Sequence, residues 1–517
     1  MNSRTIPATM PRFTGRMGVR VRRVAGSRES LLSTSRTIAK NAGFLFLMRG
    51  TGFVLSFVLV MAIGRILGRE GLGVYTLATA FLQVFVLIPN FGLDTLAIRD
   101  VARDRRRAGS YFAEMMGAKL ALTLPACLLM LGAVELLHYP PETTTAIRLL
   151  CLALLADPLA EAAAAVYQGF ERMEFMTMAS GGMKIVVTGV SLALLARGAG
   201  VVDVLVVQVA GSFAVIPVHL LLLRRLSLRI PQRPSRAGMM TLLHEAYPLF
   251  LTNLVGLLYF RMDVVMLSKL RDEAEVGLYG AAYSVLRALV MIPSIFVTAI
   301  YPVLSRLYGN DGASLRRLCD TAFRYQLAVG LPLVAGLSTL APETMHLVYG
   351  DDFAPSGPAL RILIWTLFFF FTNTLLGYML FTAGKQRSFL SIKLIALAVN
   401  GVANAILIPR YGIQGAAAAT VGTTFVSFAL HHRLVTQHLY RVNFPKILWR
   451  PVVASAVMAL AVHLARDWPT GAVIPAGAAL YAFVALVLLR ILGPDDREIL
   501  RTILRRGSTA PPPEGTP

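Results

Sequence analysis

Fourteen blocks of mainly apolar residues, most about 20 residues long, follow one another along this 517-residue chain. They lie near 44–66, 72–96, 111–136, 146–168, 175–197, 201–224, 242–268, 276–301, 320–341, 359–382, 388–408, 412–436, 448–466 and 471–491. About 20 apolar residues let a helix cross the hydrocarbon core of a bilayer. A water-soluble fold has no place for so many such runs. Hydrophobic residues make up 56% of the chain and charged residues only 15%, too little polar surface for a soluble protein of this size. A transmembrane barrel would instead alternate apolar and polar residues over segments of about ten. The expected fold class is an all-α polytopic membrane protein with about 14 transmembrane helices.

The formal net charge of +22 is concentrated in the short connectors. Basic residues follow the even-numbered spans: Arg99, Arg103 and Arg105–Arg107 after span 2, Arg224, Arg225, Arg229, Arg233 and Arg236 after span 6, Arg306, Arg316 and Arg317 after span 8. The pattern continues with Lys385 and Arg387, with Arg433, Arg441 and Lys446, and with Arg497, Arg501, Arg505 and Arg506. The odd-numbered connectors 138–145 and 343–357 carry no Lys or Arg. The positive-inside rule therefore predicts both termini in the cytoplasm. Basic loops beside a membrane also meet anionic inner-leaflet lipid. No basic–aromatic module for stacking bases is present, so nucleic acid is not an expected partner. Cys127, Cys151 and Cys319 have no metal-ligand spacing and sit in or beside apolar runs, as small packing residues do. No Walker A motif is present, so the chain is not expected to hydrolyse ATP. Asp351-Asp352 is an isolated acidic pair in a short outward loop, too little to build a glycosyltransferase. Residues 1–40 read as a disordered basic cytoplasmic arm and 492–517 as a cytoplasmic tail.

An internal repeat divides the rest. Residues 71–89, GLGVYTLATAFLQVFVLIP, match 275–293, EVGLYGAAYSVLRALVMIP, without gaps. Gly73, Tyr75, Ala78, Leu82, Val86, Ile88 and Pro89 pair with Gly277, Tyr279, Ala282, Leu286, Val290, Ile292 and Pro293. The repeat spans six helices, an even number, so both copies keep the same orientation and an axis along the membrane normal relates them. This predicts two pseudo-symmetric six-helix lobes, 41–225 and 242–437. A cytoplasmic linker at 226–241 joins them, and two further helices at 448–491 follow. Parallel repeats of this kind place substrate between the lobes, and rocking of the lobes gives alternating access. Pro89 and Pro293, equivalent in the repeat, are candidate hinges because proline removes a backbone hydrogen bond.

Charges inside membrane-length helices are costly and face a cavity or a partner. The first lobe has Arg49, Lys119, Asp157, Glu161 and Lys184. Asp157 and Glu161 are four residues apart and share a helix face. They and the lysines form either an internal ionic network or a proton or cation relay. In the second lobe, Arg261 and Asp263 are two residues apart, about 200° around a helix, so they point opposite ways. Either Asp263 pairs with Arg287 and leaves Arg261 facing a cavity, or both arginines face the cavity and bind an anion. Arginine suits phosphate because its planar fork makes bidentate bonds and stays charged.

With these residues in view, the chain resembles the polysaccharide (O-antigen type) flippases of the multidrug/oligosaccharidyl-lipid/polysaccharide exporter superfamily. Gly64–Ala102 is similar to the family's LG-x-x-x-(F/L)-G-x-Y start and FGL-then-basic end of span 2. Tyr167–Phe175, YQGFERMEF, resembles its span 4–5 connector, and RMDVVML with VGLYGAA within Arg261–Ala282 resembles its spans 7 and 8. Leu407–Thr420, LIPRYGIQGAAAAT, resembles its span 11–12 turn. The resemblance covers roughly 38–490 and implies a flippase for undecaprenyl-diphosphate-linked oligosaccharide in the bacterial plasma membrane. It also implies an Arg-lined central cavity in which Arg287, Arg261 and Arg49 hold phosphate. Asp263, Asp157, Glu161 and Lys184 are then structural or coupling charges. No cofactor or metal is implied, and coupling to H⁺ or Na⁺ stays open. Polysaccharide polymerase and glycosyltransferases are the expected protein partners. A lipid II flippase, a cation-coupled drug antiporter and a membrane glycosyltransferase or polymerase are the alternatives.

Overall fold

The computed structural model describes residues 27–226, 228, 234–466 and 468–489, excluding the side chains of 27–47, 49 and 470. The described residues form helices and connecting turns, with no strand among them. Among the described residues, eleven helices are long and apolar enough to cross a membrane. The number is twelve when Gly312–Thr339 and Ala341–Tyr349, bent by 79°, count as one span. Two of these helices are too long for a single crossing at 1.5 Å per residue: Gly50–Asn90 has 41 residues and Gln386–His438 has 53. Each breaks at a glycine, Gly68 (φ 69°) and Gly412 (φ 53°). Left-handed backbone at these points lets the chain turn back without Cβ strain. Divided there, they supply spans 1, 2, 11 and 12, and the total is the fourteen that the hydropathy pattern predicts.

Spans 3 to 6 are Ala108–Leu137, the pair Pro141–Cys151 and Ala153–Gly169, the pair Met173–Met176 and Gly182–Leu195, and Val201–Arg224. Spans 7 and 8 are Arg236–Leu270 and Glu273–Leu307; span 10 is Ser356–Leu363 with Trp365–Thr382. Spans 13 and 14 begin at Phe444–Leu464 and Thr470–Phe483. Several helices outrun their apolar blocks. Span 9 starts at Gly312, eight residues before its apolar block. Its first turns are amphipathic, burying Leu315 and Cys319 while Arg316 and Arg317 stay exposed, and mean hydropathy does not register such turns. Spans 7, 8 and 9 each start at an oxygen-bearing cap: Ser235, Asp272 and Asp311 accept from Gly238, Glu275 and Ser314 backbone N–H groups.

The repeat appears as a symmetric helix crossing. A Cβ on Gly73 of span 2 would collide with the Glu273 carbonyl, and one on Gly277 of span 8 with the Arg69 carbonyl. The repeat pairs residue 69 with 273 and 73 with 277, so the two clashes are one contact seen from both sides. Thr76 meets Gly280, again a repeat pair. Between helices in lipid there is little hydrophobic drive, so such small-residue backbone approach supplies the packing energy.

Three large core clusters show how the chain divides. One joins both repeats at the end opposite the basic connectors, with Leu72, Leu77 and Leu150 packed in the same cluster as Leu267, Tyr279, Phe353 and Leu363. At the basic end the core splits. Leu96, Met115, Tyr167 and Leu223 form one cluster, which also takes Leu242 and Ala246 from the start of span 7. Val297, Phe323, Leu376 and Val435 form the other.

Polar ties reinforce the opposite end. Thr143 donates to Glu273, Lys269 donates to the Leu137 carbonyl, and Tyr139 and Ser268 hydroxyls meet at 2.9 Å. Arg65 Nε donates to the Val348 carbonyl at 2.8 Å, and the Arg69 N–H to Asp352 at 3.0 Å. At the basic end the span 7 edge is also closed, by Arg99–Glu245 at 3.1 Å and by Phe91 stacked on Phe250 at 4.3 Å.

The two repeat prolines occupy different settings. The helix of span 2 stops at Asn90, one residue past Pro89, with Phe91 (φ 45°) and Gly92 (φ 78°) leading into Leu93–Arg103. Span 8 runs on through a buried Pro293 to Leu307.

Candidate functional site: two arginines where the repeats part

Spans 2 and 8 cross tightly at Gly73 and Gly277 and carry their stripes on toward the basic end. On span 8 the stripe is Gly277, Gly280, Ser284 and Arg287, spaced three, four and three residues apart, which is one helix face. Gly280 touches span 2, Ser284 bonds Tyr349 at 2.5 Å, and Arg287 emerges exposed. On span 2 the same stripe runs Gly73, Thr76 and Gln83. Gln83 is the repeat counterpart of Arg287.

Arg261 of span 7 completes the group. It is only 8% exposed, and its guanidinium forks onto Gln83 Oε1 at 3.1 and 2.5 Å. Arg287 lies within electrostatic reach of Arg261, Tyr75 and Tyr283. Among the described residues it makes no hydrogen bond or ion pair. Two guanidinium groups thus flank the line where the repeats separate, one bridging the halves and one free.

Asp263 faces away from both. Its carboxylate accepts from Tyr279 OH at 2.5 Å and from the Val264 N–H at 2.8 Å, inside the second half. The pairing of Asp263 with Arg287 expected as one alternative does not form: the short Asp263 side chain is turned toward Tyr279, whereas Arg287 projects from the interface stripe. Tyr279 also meets the Thr420 hydroxyl at 3.3 Å, and on span 11 the buried Asn404 donates to Asn400 at 2.9 Å. Asn373 donates to the Thr424 carbonyl at 3.2 Å and joins spans 10 and 12.

The first half has its own polar chamber, a cavity of about 280 Å³ lined by Asp157, Glu161, Ser180, Lys184, Gln208 and Ser212 among others. Asp157 and Glu161 share its wall, as their spacing requires. Lys184 has no hydrogen bond or ion pair among the described residues. The lysine that is paired is Lys119, fully buried, with Asp94 at 2.7 Å and Asn90 at 2.9 Å. Asn90 in turn donates to Glu161. Gln208 donates to Tyr75 at 2.9 Å, so Tyr75 and its repeat counterpart Tyr279 are each anchored in their own half. The Arg49 side chain lies outside the described residues.

Gln83, Asn90 and Asp94 were not singled out from the sequence. A neutral amide in an apolar run draws no attention by charge; the repeat offset from Arg287 is the signal that locates Gln83. Asp94 sits in a segment that reads as a cap or connector, and only folding brings it to Lys119.

Comparison with known proteins decides the family. The model of the family described as polysaccharide biosynthesis protein matches residues 38–308, more than half the chain. The chain belongs to the polysaccharide biosynthesis protein family. The MatE family model matches residues 248–407. Among relatives of the chain is the probable low-salt glycan biosynthesis flippase Agl15 of Haloferax volcanii, 23% identical, covering 82% of this chain and 88% of that one. The putative O-antigen transporter of Shigella dysenteriae is 26% identical, covering 73% and 94%. Among solved structures, the lipid II flippase MurJ in an inward closed conformation superposes with TM-score 0.73 at 14% identity, covering 86% of this chain and 98% of that one. An inward-facing multidrug resistance MATE family transporter of the MOP superfamily superposes with TM-score 0.62 at 18% identity, covering 74% and 95%. The chain is a multi-pass membrane transporter, not an enzyme, and shares the helical fold of these two structures.

Proposed function

We propose that this transporter is a flippase that moves an undecaprenyl-diphosphate-linked oligosaccharide from the inner to the outer leaflet of the bacterial plasma membrane by alternating access. The observation that carries the reading is the placement of Arg261 and Arg287 where one shared core gives way to two. The flippase and O-antigen transporter relatives support the substrate class. In this reading both termini and the basic connectors face the cytoplasm, so the separated cores form a cavity open to the cytoplasmic leaflet. The diphosphate engages Arg287 first. Arg261 follows when it exchanges Gln83 for a phosphate oxygen, a charge-assisted bond in place of one to a neutral amide. The sugar stays in the polar space between the halves and the prenyl tail stays in lipid. Releasing Arg261 from Gln83 also removes one tie between the halves, so binding and rocking are linked.

The membrane potential favours this direction. An inside-negative potential drives negative charge outward by about 2.3 kcal/mol per charge per 100 mV. Coupling to H⁺ or Na⁺ is assigned to Asp263 with the Tyr279 and Thr420 hydroxyls beside it, or to Asp157 and Glu161 in the first-half chamber. Polysaccharide polymerase and glycosyltransferases are the proposed protein partners. No cofactor is proposed.

The test is surface polysaccharide in cells carrying Arg287→Ala or Arg261→Ala at matched protein levels. Each substitution removes a charge-assisted phosphate contact of about 1.5–3 kcal/mol, so export falls roughly tenfold or more. Normal export in both variants overturns the reading.

A further inference from the structure

An apolar groove runs along the seam between the halves, next to Arg261. It is a cavity of about 230 Å³ between spans 2 and 3 of the first half and span 7 of the second. Its walls include Phe81 and Phe85 on span 2, Ala133 and Leu137 on span 3, and Met262 and Val265 on span 7. The pairs on spans 2 and 3 are each four residues apart and share a helix face, and the Phe81 and Phe85 rings stack at 6.1 Å. Among the described residues that line the groove, Arg261 alone is charged. Arg261 also ties the walls together, since its guanidinium on span 7 forks onto Gln83 of span 2. The groove and the polar line between the halves thus meet at one side chain.

Depth decides what such a groove can hold. In the orientation set by the basic connectors, span 7 ends on the outer side at Leu270. Arg261 stands about 14 Å short of that end along the helix. Half of the hydrocarbon core is about 15 Å, so Arg261 lies near mid-membrane. A resting phospholipid keeps its phosphate at headgroup level and does not bring it to that depth. A lipid in transit, with its phosphate on an arginine between the halves, has to pass its tail sideways into hydrocarbon, because an apolar chain is not stable in a polar cavity.

The outer end of the groove is roofed by ties that hold the halves closed. Phe81 meets the Tyr139 ring edge-on at 5.8 Å, and the Tyr139 and Ser268 hydroxyls meet at 2.9 Å. The Lys269 ammonium lies 3.4 Å from the centre of the Tyr139 ring and donates to the carbonyl of Leu137, a groove residue. Parting of the halves at this end releases these ties and widens the groove toward the outer leaflet.

We infer that the groove seats the prenyl units next to the diphosphate, and that the tail passes through it into the outer leaflet. The inference rests on the flippase reading, in which Arg261 takes a phosphate. One ligand then occupies both places, with its phosphate on the guanidinium and the chain bonded to that phosphate lying on Phe85, Ala133 and Val265.

Site-specific photocrosslinking in proteoliposomes tests this, with radiolabelled undecaprenyl-diphosphate-linked N-acetylglucosamine as the probe. Phe85→p-benzoylphenylalanine should capture the label several-fold more than Leu129→p-benzoylphenylalanine, a control at an exposed position of span 3. Excess unlabelled undecaprenyl diphosphate should compete with capture at Phe85, and adding Arg261→Ala should cut it several-fold. Ala133→Phe, which fills the groove, should slow translocation of the same probe fivefold or more. Capture at Phe85 no greater than at Leu129, or unaffected by the competitor or by Arg261→Ala, would give the groove to bulk acyl chains and overturn the inference. Normal translocation by Ala133→Phe would overturn it as well. The flippase reading fails separately, when Arg261→Ala and Arg287→Ala both translocate the probe as wild type does.

Discussion

At the scale of single residues, span 7 shows how far helical geometry reaches. Arg261 and Asp263 are separated by two positions, and the structure turns Arg261 to Gln83 and Asp263 to Tyr279. That divergence was legible in the sequence, because it needs only the angle per residue. The partners were not legible. Asp263 takes a phenol from span 8 rather than a cation, and nothing in an apolar run marks a tyrosine as a hydrogen-bond donor to a particular carboxylate. Lys119 likewise pairs with Asp94 and Asn90, and joins Glu161 only through Asn90. Tyr279→Phe leaves the buried Asp263 carboxylate short of one donor, which costs about 1–3 kcal/mol. A lower thermal midpoint of the purified protein checks this. A midpoint equal to wild type would mean that Asp263 has another partner of equal worth.

At the scale of helices, the repeat is the most informative part of the sequence. The matched glycines Gly73 and Gly277 are the two sides of one backbone crossing. Gly73→Ala and Gly277→Ala each press a methyl group into a carbonyl and force the helices apart, at about 1–3 kcal/mol. Because both act on the same crossing, the double variant should lose less than the sum of the singles. Thermal unfolding of all three variants checks the claim, and strict additivity would contradict it. Span number was legible because apolar length is set by bilayer thickness. Helix ends were not, since the amphipathic turns at Gly312 and Arg236 look like loops to a hydropathy scale. The differing settings of Pro89 and Pro293 were hidden too: the sequence around them matches, but Phe91 and Gly92 end one helix and Ser294 continues the other.

For the whole molecule, the fold joins two repeats at one end and separates their cores at the other. The ties at the joined end, among them Thr143–Glu273 and Arg69–Asp352, must break if the halves rock. Thr143→Cys/Glu273→Cys, with Cys127, Cys151 and Cys319 replaced by Ala, should form a disulfide on oxidation and reduce export several-fold, with recovery on reduction. Full export by the cross-linked protein would rule out opening at this end. The most direct measurement of the account as a whole is the translocation rate of a fluorescent polyprenyl-diphosphate-linked sugar in proteoliposomes containing wild type, Arg287→Lys or Arg287→Ala. Wild type should transport the lipid, Arg287→Lys should transport it partially, and Arg287→Ala should lose tenfold or more. A wild-type rate for Arg287→Ala would contradict the central claim that the arginines between the halves carry the diphosphate.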